Sequence, residues 1–291
     1  MTRRTLLTAA AVAAAATPFA RGGQSGAGPK PLKPPAEGTI PVAVAISDGA
    51  VMIDYAGPWE VFQDANRPNG GSAFNLFTVA ESTKTVTASG GLKLTPDYTF
   101  ENAPVPKVIV IPAQSGNDAM LEWIRKASKT ADVVMSVCAG AFILAKTGLL
   151  AGKAATTHHG SYGPFAMQFR DVKLMRGYRF VESEPNLATA GGLTSGIDLA
   201  LRVVERYFGR ASAEGTAFYM EYQGEGWKDS TGGANQAYAK PLNPASGFAC
   251  RVCGMALSAE APLRSTYKGV TYYFCSNGCK SQFDASPEDF V

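Results

Sequence analysis

A short apolar run, Val133 to Val137, leads straight into Cys138, and Cys138 into Ala139-Gly140-Ala141 and an apolar stretch that stops at Gly148. No other feature narrows the possible folds so far. An apolar strand bounded by polar residues belongs inside a parallel sheet covered on both faces. The segment Ala139 to Lys146 has helical composition and is closed by a glycine. A chain that turns so abruptly from strand to helix needs small neighbours at the turn, and Ala139, Gly140 and Ala141 supply them. Such a turn lifts its central side chain to the carboxyl edge of the sheet, as in a nucleophile elbow. A thiol there faces the positive end of a helix dipole, which predicts a pKa below the ordinary thiol value. The alternative is an inert, buried Cys acting as a small hydrophobe.

The flanking sequence fits an α/β reading. Strands are predicted at Ile40 to Ile46, Phe74 to Ala80, Lys107 to Ile111 and Leu187 to Ala190. Helices are predicted at Asp54 to Asp64, Asn117 to Ser128 and Thr194 to Phe208, with a β excursion from Val86 to Tyr98 around Gly90-Gly91. Alternation of this kind builds a doubly wound sheet whose sites lie outside the carboxyl ends of the strands. The loops Ser47 to Asp54, Pro112 to Asn117, Cys138 to Ala141 and His158 to Gly160 would then converge. An Asp at a helix start, such as Asp54, ordinarily caps it.

Arg3-Arg4-Thr5-Leu6-Leu7 precedes an alanine-rich apolar run that ends near Ala20. The run is too short and too weakly apolar for a membrane span, and the arginine pair fits a twin-arginine export signal over residues 1–21. No cysteine follows it for a lipid anchor. The expectation is therefore a periplasmic or extracellular protein without a stable membrane anchor. Residues 22–38 read as a linker. A net charge of +3 gives no reason to expect nucleic acid as a partner.

Five motifs occur in order: Ile53-Asp54-Tyr55-Ala56-Gly57-Pro58-Trp59-Glu60, Val110-Ile111-Pro112, Ser136-Val137-Cys138-Ala139-Gly140-Ala141, Gly148 to His158, and Gly191-Gly192-Leu193-Thr194-Ser195-Gly196-Ile197-Asp198. Together they resemble the ThiJ/PfpI branch of the class I glutamine-amidotransferase-like superfamily, and within it the isocyanide-hydratase group. The resemblance covers residues 39–224. It implies a flavodoxin-like sandwich with a reactive Cys138 at the elbow, no cofactor in this domain, a small-molecule substrate or ligand, and frequent homodimers. It also implies an acid, Asp54, beside the nucleophile. Carried over, Cys138 attacks the isocyanide carbon, Asp54 moves protons, and water releases a formamide. His158 is a third candidate, approaching from the next strand end. The pocket and oxyanion positions map to Ala113, Gln114, Ala139 and Gly140.

The departures from that group bear on substrate. Ala139 stands where the hydratases carry Thr, Ala113-Gln114 where the family commonly has Gly-Gly, and His159 where the hydratases have a bulky aromatic. With no His directly after the nucleophile and none after Gly191, a peptidase or amidotransferase triad is not expected.

The remaining four of the five cysteines lie in the last stretch, after a Gly-, Ala- and Asn-rich linker over 225–246. Cys250 and Cys253 form a CxxC pair, and Cys275 and Cys279 a CxxxC pair. Four thiolates at that spacing close a tetrahedral metal site, whereas two disulfides are the alternative that an exported chain permits. A tight CxxC hairpin favours metal, and soft thiolates with Met255 nearby suit Zn(II) or Cu(I). The string resembles the YHS domain, a small treble-clef-like metal-associated module, over residues 247–291. Two functions stand: an exported Cys-dependent hydratase or hydrolase of a small electrophile, or a non-catalytic metal-binding or redox- or ligand-sensing protein.

Overall fold

The structure is a computed structural model and describes residues 31–183, 186–229, 250–252, 257 and 263–291. The expected signal over 1–21, most of the second linker, Cys253 and Met255 lie outside the described residues. The first domain contains strands β1 (Ile40–Ala45), β2 (Phe74–Ala80), β3 (Val86–Thr87), β4 (Lys93–Leu94), β5 (Tyr98–Thr99), β6 (Val108–Ile111), β7 (Val133–Val137), β8 (Ala154–Ala155), β9 (Lys173–Leu174), β10 (Phe180–Ser183) and β11 (Leu187–Ala190). Its helices are α1 (Met52–Asp64), α2 (Asp118–Ala127), α3 (Gly140–Lys146), α4 (Tyr162–Gln168), α5 (Ser195–Phe208) and α6 (Arg210–Tyr219).

Seven strands form one sheet in the order β10-β11-β7-β6-β1-β2-β5. Every neighbouring pair in it is parallel except β10 with β11. Strands β6 and β7 are buried at every residue, because helices cover both faces. Their side chains alternate: Val108, Val110, Val133 and Met135 join the core under α1 and α5, whereas Ile109, Ile111 and Val134 join the core under α2 and α3. The chain proceeds from β1 outward to β2, then returns to place β6 on the other side of β1. That reversal opens a crevice at the carboxyl ends of β1 and β6, where α/β folds hold their sites.

Five strands, β1, β2, β6, β7 and β11, lie where the apolar runs predict them, to within a residue. Helix α1 starts earlier than expected, at Met52, with Val51 at the N-cap and no side-chain cap. Asp54 therefore sits buried in the first turn and does not cap the helix. The domain also runs past the expected boundary at 224, since Trp227 is buried in the same core as α5. Among the described residues, no helix is long and apolar enough to cross a membrane.

The C-terminal module has a hairpin of β12 (Leu263–Tyr267) and β13 (Val270–Phe274) followed by α7 (Asn277–Ala285). Its two turn residues, Lys268 and Gly269, both have positive φ, 48° and 79°, the mirror-image turn that matches strand twist. Ser276 caps α7 by accepting the Cys279 N–H at 3.2 Å. Cys250, Val252, Phe274, Cys279, Phe283 and Phe290 make up the small core.

One buried charge cluster ties the edge strand to the helical layer. Glu182 on β10 accepts from Arg202 at 3.0 Å and from Arg206 at 3.2 Å, both on α5, with all three side chains under a tenth exposed. Removing one member of such a group strands the others without compensation. Glu182→Ala is expected to lower stability by about 3–5 kcal/mol in urea denaturation; a change below roughly 1 kcal/mol would show that the cluster behaves like a surface ion pair.

Candidate active site and metal centre

The elbow forms at the join of β7 and α3. Cys138 has φ of 59°, a left-handed conformation that costs a non-glycine residue energy and is held by its surroundings. Its N–H donates to the carbonyls of Gly191 at 2.8 Å and Ala190 at 3.2 Å, and its carbonyl accepts from the Thr157 hydroxyl at 2.9 Å. Gly140 is required next to it, because a Cβ there would lie 2.2 Å from the Ile111 carbonyl oxygen and 2.9 Å from that of Pro112. The turn thus packs backbone to backbone on the end of β6, and only glycine fits.

Asp54 meets the thiol from α1. Its side chain is fully buried, and Oδ2 accepts the Ala113 N–H at 3.1 Å. The same carboxyl lies beside the Cys138 side chain, and its Oδ1 has no hydrogen-bond partner among the described residues. Burial raises the Asp54 pKa from 3.8 to about 6, against the opposing pull of the Ala113 amide and the Cys138 side chain. Burial also pushes the Cys138 thiol up to about 12, with the neighbouring Asp54 charge adding to it. The expected fall in the thiol pKa is therefore not found. The backbone amides of Ala139 and Leu193 lie close enough to the sulfur to favour the thiolate, but a residue only 8% exposed loses more hydration than they return.

The other positions named from the sequence separate. The Ala113 amide is taken up by Asp54, and Ala139 directs its N–H at the sulfur. The Gln114 side chain is stapled to β1: Nε2 donates to the Ala45 carbonyl at 2.7 Å, and Oε1 accepts from the Ser47 N–H and hydroxyl. His158 accepts the Gly160 N–H on Nδ1 at 3.2 Å and lies against Gly192, where a Cβ would fall 2.4 Å from its ring. Burial and the nearby His159 lower its pKa, so it is neutral near pH 7. His158, His159, Tyr162, Tyr178 and Leu193 line a cavity of about 170 Å³ next to the elbow.

Leu193 is the site residue that sequence reasoning missed. Its φ of 48° turns its amide onto the sulfur while its side chain stays 41% exposed. Behind it, Arg179 donates to Asp198 at 2.5 Å and to the Thr194 hydroxyl at 3.3 Å, and the Tyr222 hydroxyl donates to Asp198 at 3.1 Å. This buried network fixes the Gly191–Ser195 loop. The Gly191-Gly192 pair signalled a turn, but nothing in a leucine announces a left-handed backbone.

In the C-terminal module, the Sγ atoms of Cys250, Cys275 and Cys279 all lie within 4.8 Å of one another. The Cys275 and Cys279 sulfurs are 3.6 Å apart. A tetrahedral zinc site with Zn–S bonds of about 2.3 Å places its sulfurs roughly 3.8 Å apart, so the donor set fits such an ion. The fourth expected ligand, Cys253, lies outside the described residues.

Comparison with known proteins agrees with this architecture. The chain is 33% identical over 183 residues to an isonitrile hydratase of Pseudomonas putida, covering 59% of this chain and 73% of that protein. It is 25% identical over 174 residues to the HTH-type transcriptional regulator GbdR of Pseudomonas aeruginosa, of whose length it spans about half, 47%. A crystal structure of a ThiJ/PfpI family protein from Pseudomonas syringae superposes with a TM-score of 0.57 at 26% identity, over 65% of this chain and 77% of that one. Residues 251–291 match the YHS domain. Residues 41–206 match the DJ-1/PfpI family, and with the parallel sheet and the elbow in place the chain belongs to that family.

Proposed function

We propose that the first domain is a Cys-dependent hydratase of a small electrophile of the isocyanide type, with Cys138 as nucleophile and Asp54 as proton carrier. The observation that carries this reading is the buried, electrostatically coupled pair of Asp54 and Cys138. With the thiol near 12 and the carboxyl near 6, the resting pair holds its proton on sulfur and its negative charge on Asp54. Asp54 then acts first as base and afterwards as acid. It takes the thiol proton as sulfur bonds to the isocyanide carbon and returns it to that carbon, giving a thioimidate. Water adds to the thioimidate carbon with Asp54 as base, one water proton goes to nitrogen and the other, carried by Asp54, to sulfur as the C–S bond breaks, and an N-substituted formamide leaves. The Ala139 and Leu193 amides stabilise the sulfur while it carries charge.

The C-terminal module holds one soft metal ion, Zn(II) or Cu(I), on Cys250, Cys253, Cys275 and Cys279. When bound, the ion staples a piece of chain too small to bury a full core. The proposal extends to export by a twin-arginine signal over 1–21, a periplasmic or extracellular location, and homodimers. A second reading, a non-catalytic ligand or redox sensor, is supported by the raised thiol pKa and by the absence of a hydroxyl at Ala139.

Turnover separates the two. Over a panel of isocyanides, the wild type is expected to form formamides and Cys138→Ser and Asp54→Asn to lose at least ~100-fold in kcat/KM. A wild type that consumes none of them at high enzyme concentration would overturn the hydratase reading and favour the sensor reading.

The raised carboxyl pKa also has a stability sign. Below the ordinary value of 3.8, Asp54 is neutral in folded and unfolded chains alike, and burying it carries no charge penalty. As pH rises from there to about 6, the unfolded group ionises first and folding loses stability, up to roughly 3 kcal/mol for a shift of this size. Asp54→Asn is therefore expected to match wild type near pH 4 and to exceed it at pH 7 in thermal denaturation. Equal stability at both pH values would show that the carboxyl is not held in a desolvated site.

For the metal, native mass spectrometry should find one ion per chain, lost in Cys275→Ser. A protein lighter by the hydrogens of two disulfides, with no ion, would make the module an oxidised scaffold.

A further inference from the structure

The C-terminal module does not stand apart from the first domain. Its helix α7 packs on α4, and the contact is close at one point. Gly163 on α4 has no side chain, and a Cβ there would fall 2.0 Å from Cγ of Gln282. Gln282 is 8% exposed, and its Oε1 has no hydrogen-bond partner among the described residues. Beside it, the Arg176 guanidinium lies between the Tyr162 ring at 5.6 Å and the Phe290 ring at 5.9 Å, which joins the two domains through a shared cation. The Phe290 carbonyl in turn accepts from Arg251, next to the ligand Cys250.

Both sides of this contact lead to chemistry. On α7, Cys279 and Gln282 are three residues apart, so the helix presents the metal ligand and the docking side chain on neighbouring positions of one face. On α4, Tyr162 is both the first residue of the helix and a wall of the cavity beside Cys138, and the turn just before it carries His158 and His159. Helix α4 is only seven residues long and contains Gly163 and Pro164, so its own propensity does not hold it.

We propose that the C-terminal module is a metal-set clamp on the reactive-cysteine domain, in which the loaded thiolate cluster holds α7 and Phe290 against α4 and Arg176 and thereby holds the wall of the cavity that adjoins the Cys138 elbow through Gly191 and Leu193. The proposal rests on the reading of the four cysteines as a metal site and does not require hydratase activity. Its two states are physical. With the ion, the module has a fixed frame and Gln282 and Phe290 stay seated. Without it, the module lacks the staple that lets so small a piece fold, the seat on Gly163 and Arg176 is vacated, and the segment from His158 to Tyr162 loosens. Because coupling is reciprocal, a ligand that fills the cavity also tightens metal binding by the same factor.

The test uses the full chain with and without stoichiometric zinc. Iodoacetamide labelling of Cys138 is followed by peptide mass spectrometry, which resolves it from the module thiols, and zinc content is read by native mass spectrometry. Zinc is expected to slow Cys138 labelling at least ~5-fold. In Gly163→Leu and Arg176→Ala, the zinc content should remain and the protection should disappear; two variants are used so that misfolding of one leaves the other decisive. A wild type that binds zinc but labels at an unchanged rate overturns the clamp alone, and so does protection that persists in both variants. A chain that takes up neither zinc nor, offered in its place, Cu(I) overturns the metal reading and the clamp together.

Discussion

A carboxyl group with no exposure to water sits where three strand ends meet, and the elbow depends on how it is satisfied. Asp54 comes from α1 after β1, the amide it accepts comes from Ala113 after β6, and the thiol it faces comes from Cys138 after β7. The reversal of strand order between β1 and β6 creates room for the carboxyl to reach both. Gly140 lets the elbow press on the end of β6, and Cys138 donates its amide to the end of β11, so the left-handed turn is fixed from both sides. A buried carboxyl with one strong backbone donor is costly to the fold, and a reactive site is where such a cost is ordinarily found.

Two effects compete for the proton at this site. Helix termini and amide donors favour a thiolate, and burial beside another acid opposes it. Here α3 has seven residues and the sulfur is almost fully covered, so burial prevails and the thiol stays protonated at rest. In the proposed hydratase reaction the nucleophile is therefore made by the carboxylate next to it and is not stored as a free thiolate. That arrangement protects the sulfur from casual electrophiles while keeping the base within hydrogen-bond reach.

Much of this was legible in the sequence, for reasons that differ by element. Buried parallel strands such as Val133–Val137 announce themselves as unbroken apolar runs, and the small residues after Cys138 announce the turn. Strand β10 does not, because Phe180–Ser183 is an edge strand with a charged Glu182 facing two arginines. Helix α4 is masked by its Gly163 and Pro164, and packing of Phe165 in the core and of α7 on Gly163 offsets its weak propensity. Asp54 and Cys138 are legible as an ordered set of motifs, but the direction of the Cys138 pKa is not, because a sequence shows a helix dipole more readily than it shows burial. Gln114 was placed in the pocket by alignment of motifs, yet its amide satisfies β1 backbone groups that no pattern reveals.

Leu193 sets stability and chemistry against each other at one position. A left-handed backbone costs a leucine roughly 1–2 kcal/mol, and its side chain is partly exposed, with little burial to offset that cost. Glycine at this place would relax the chain and gain stability by losing strain. It would also free the loop to swing its amide off the sulfur. Strain at Leu193 is thus what aims the loop at the thiol, and a sturdier fold at this one position would come with a less tuned sulfur.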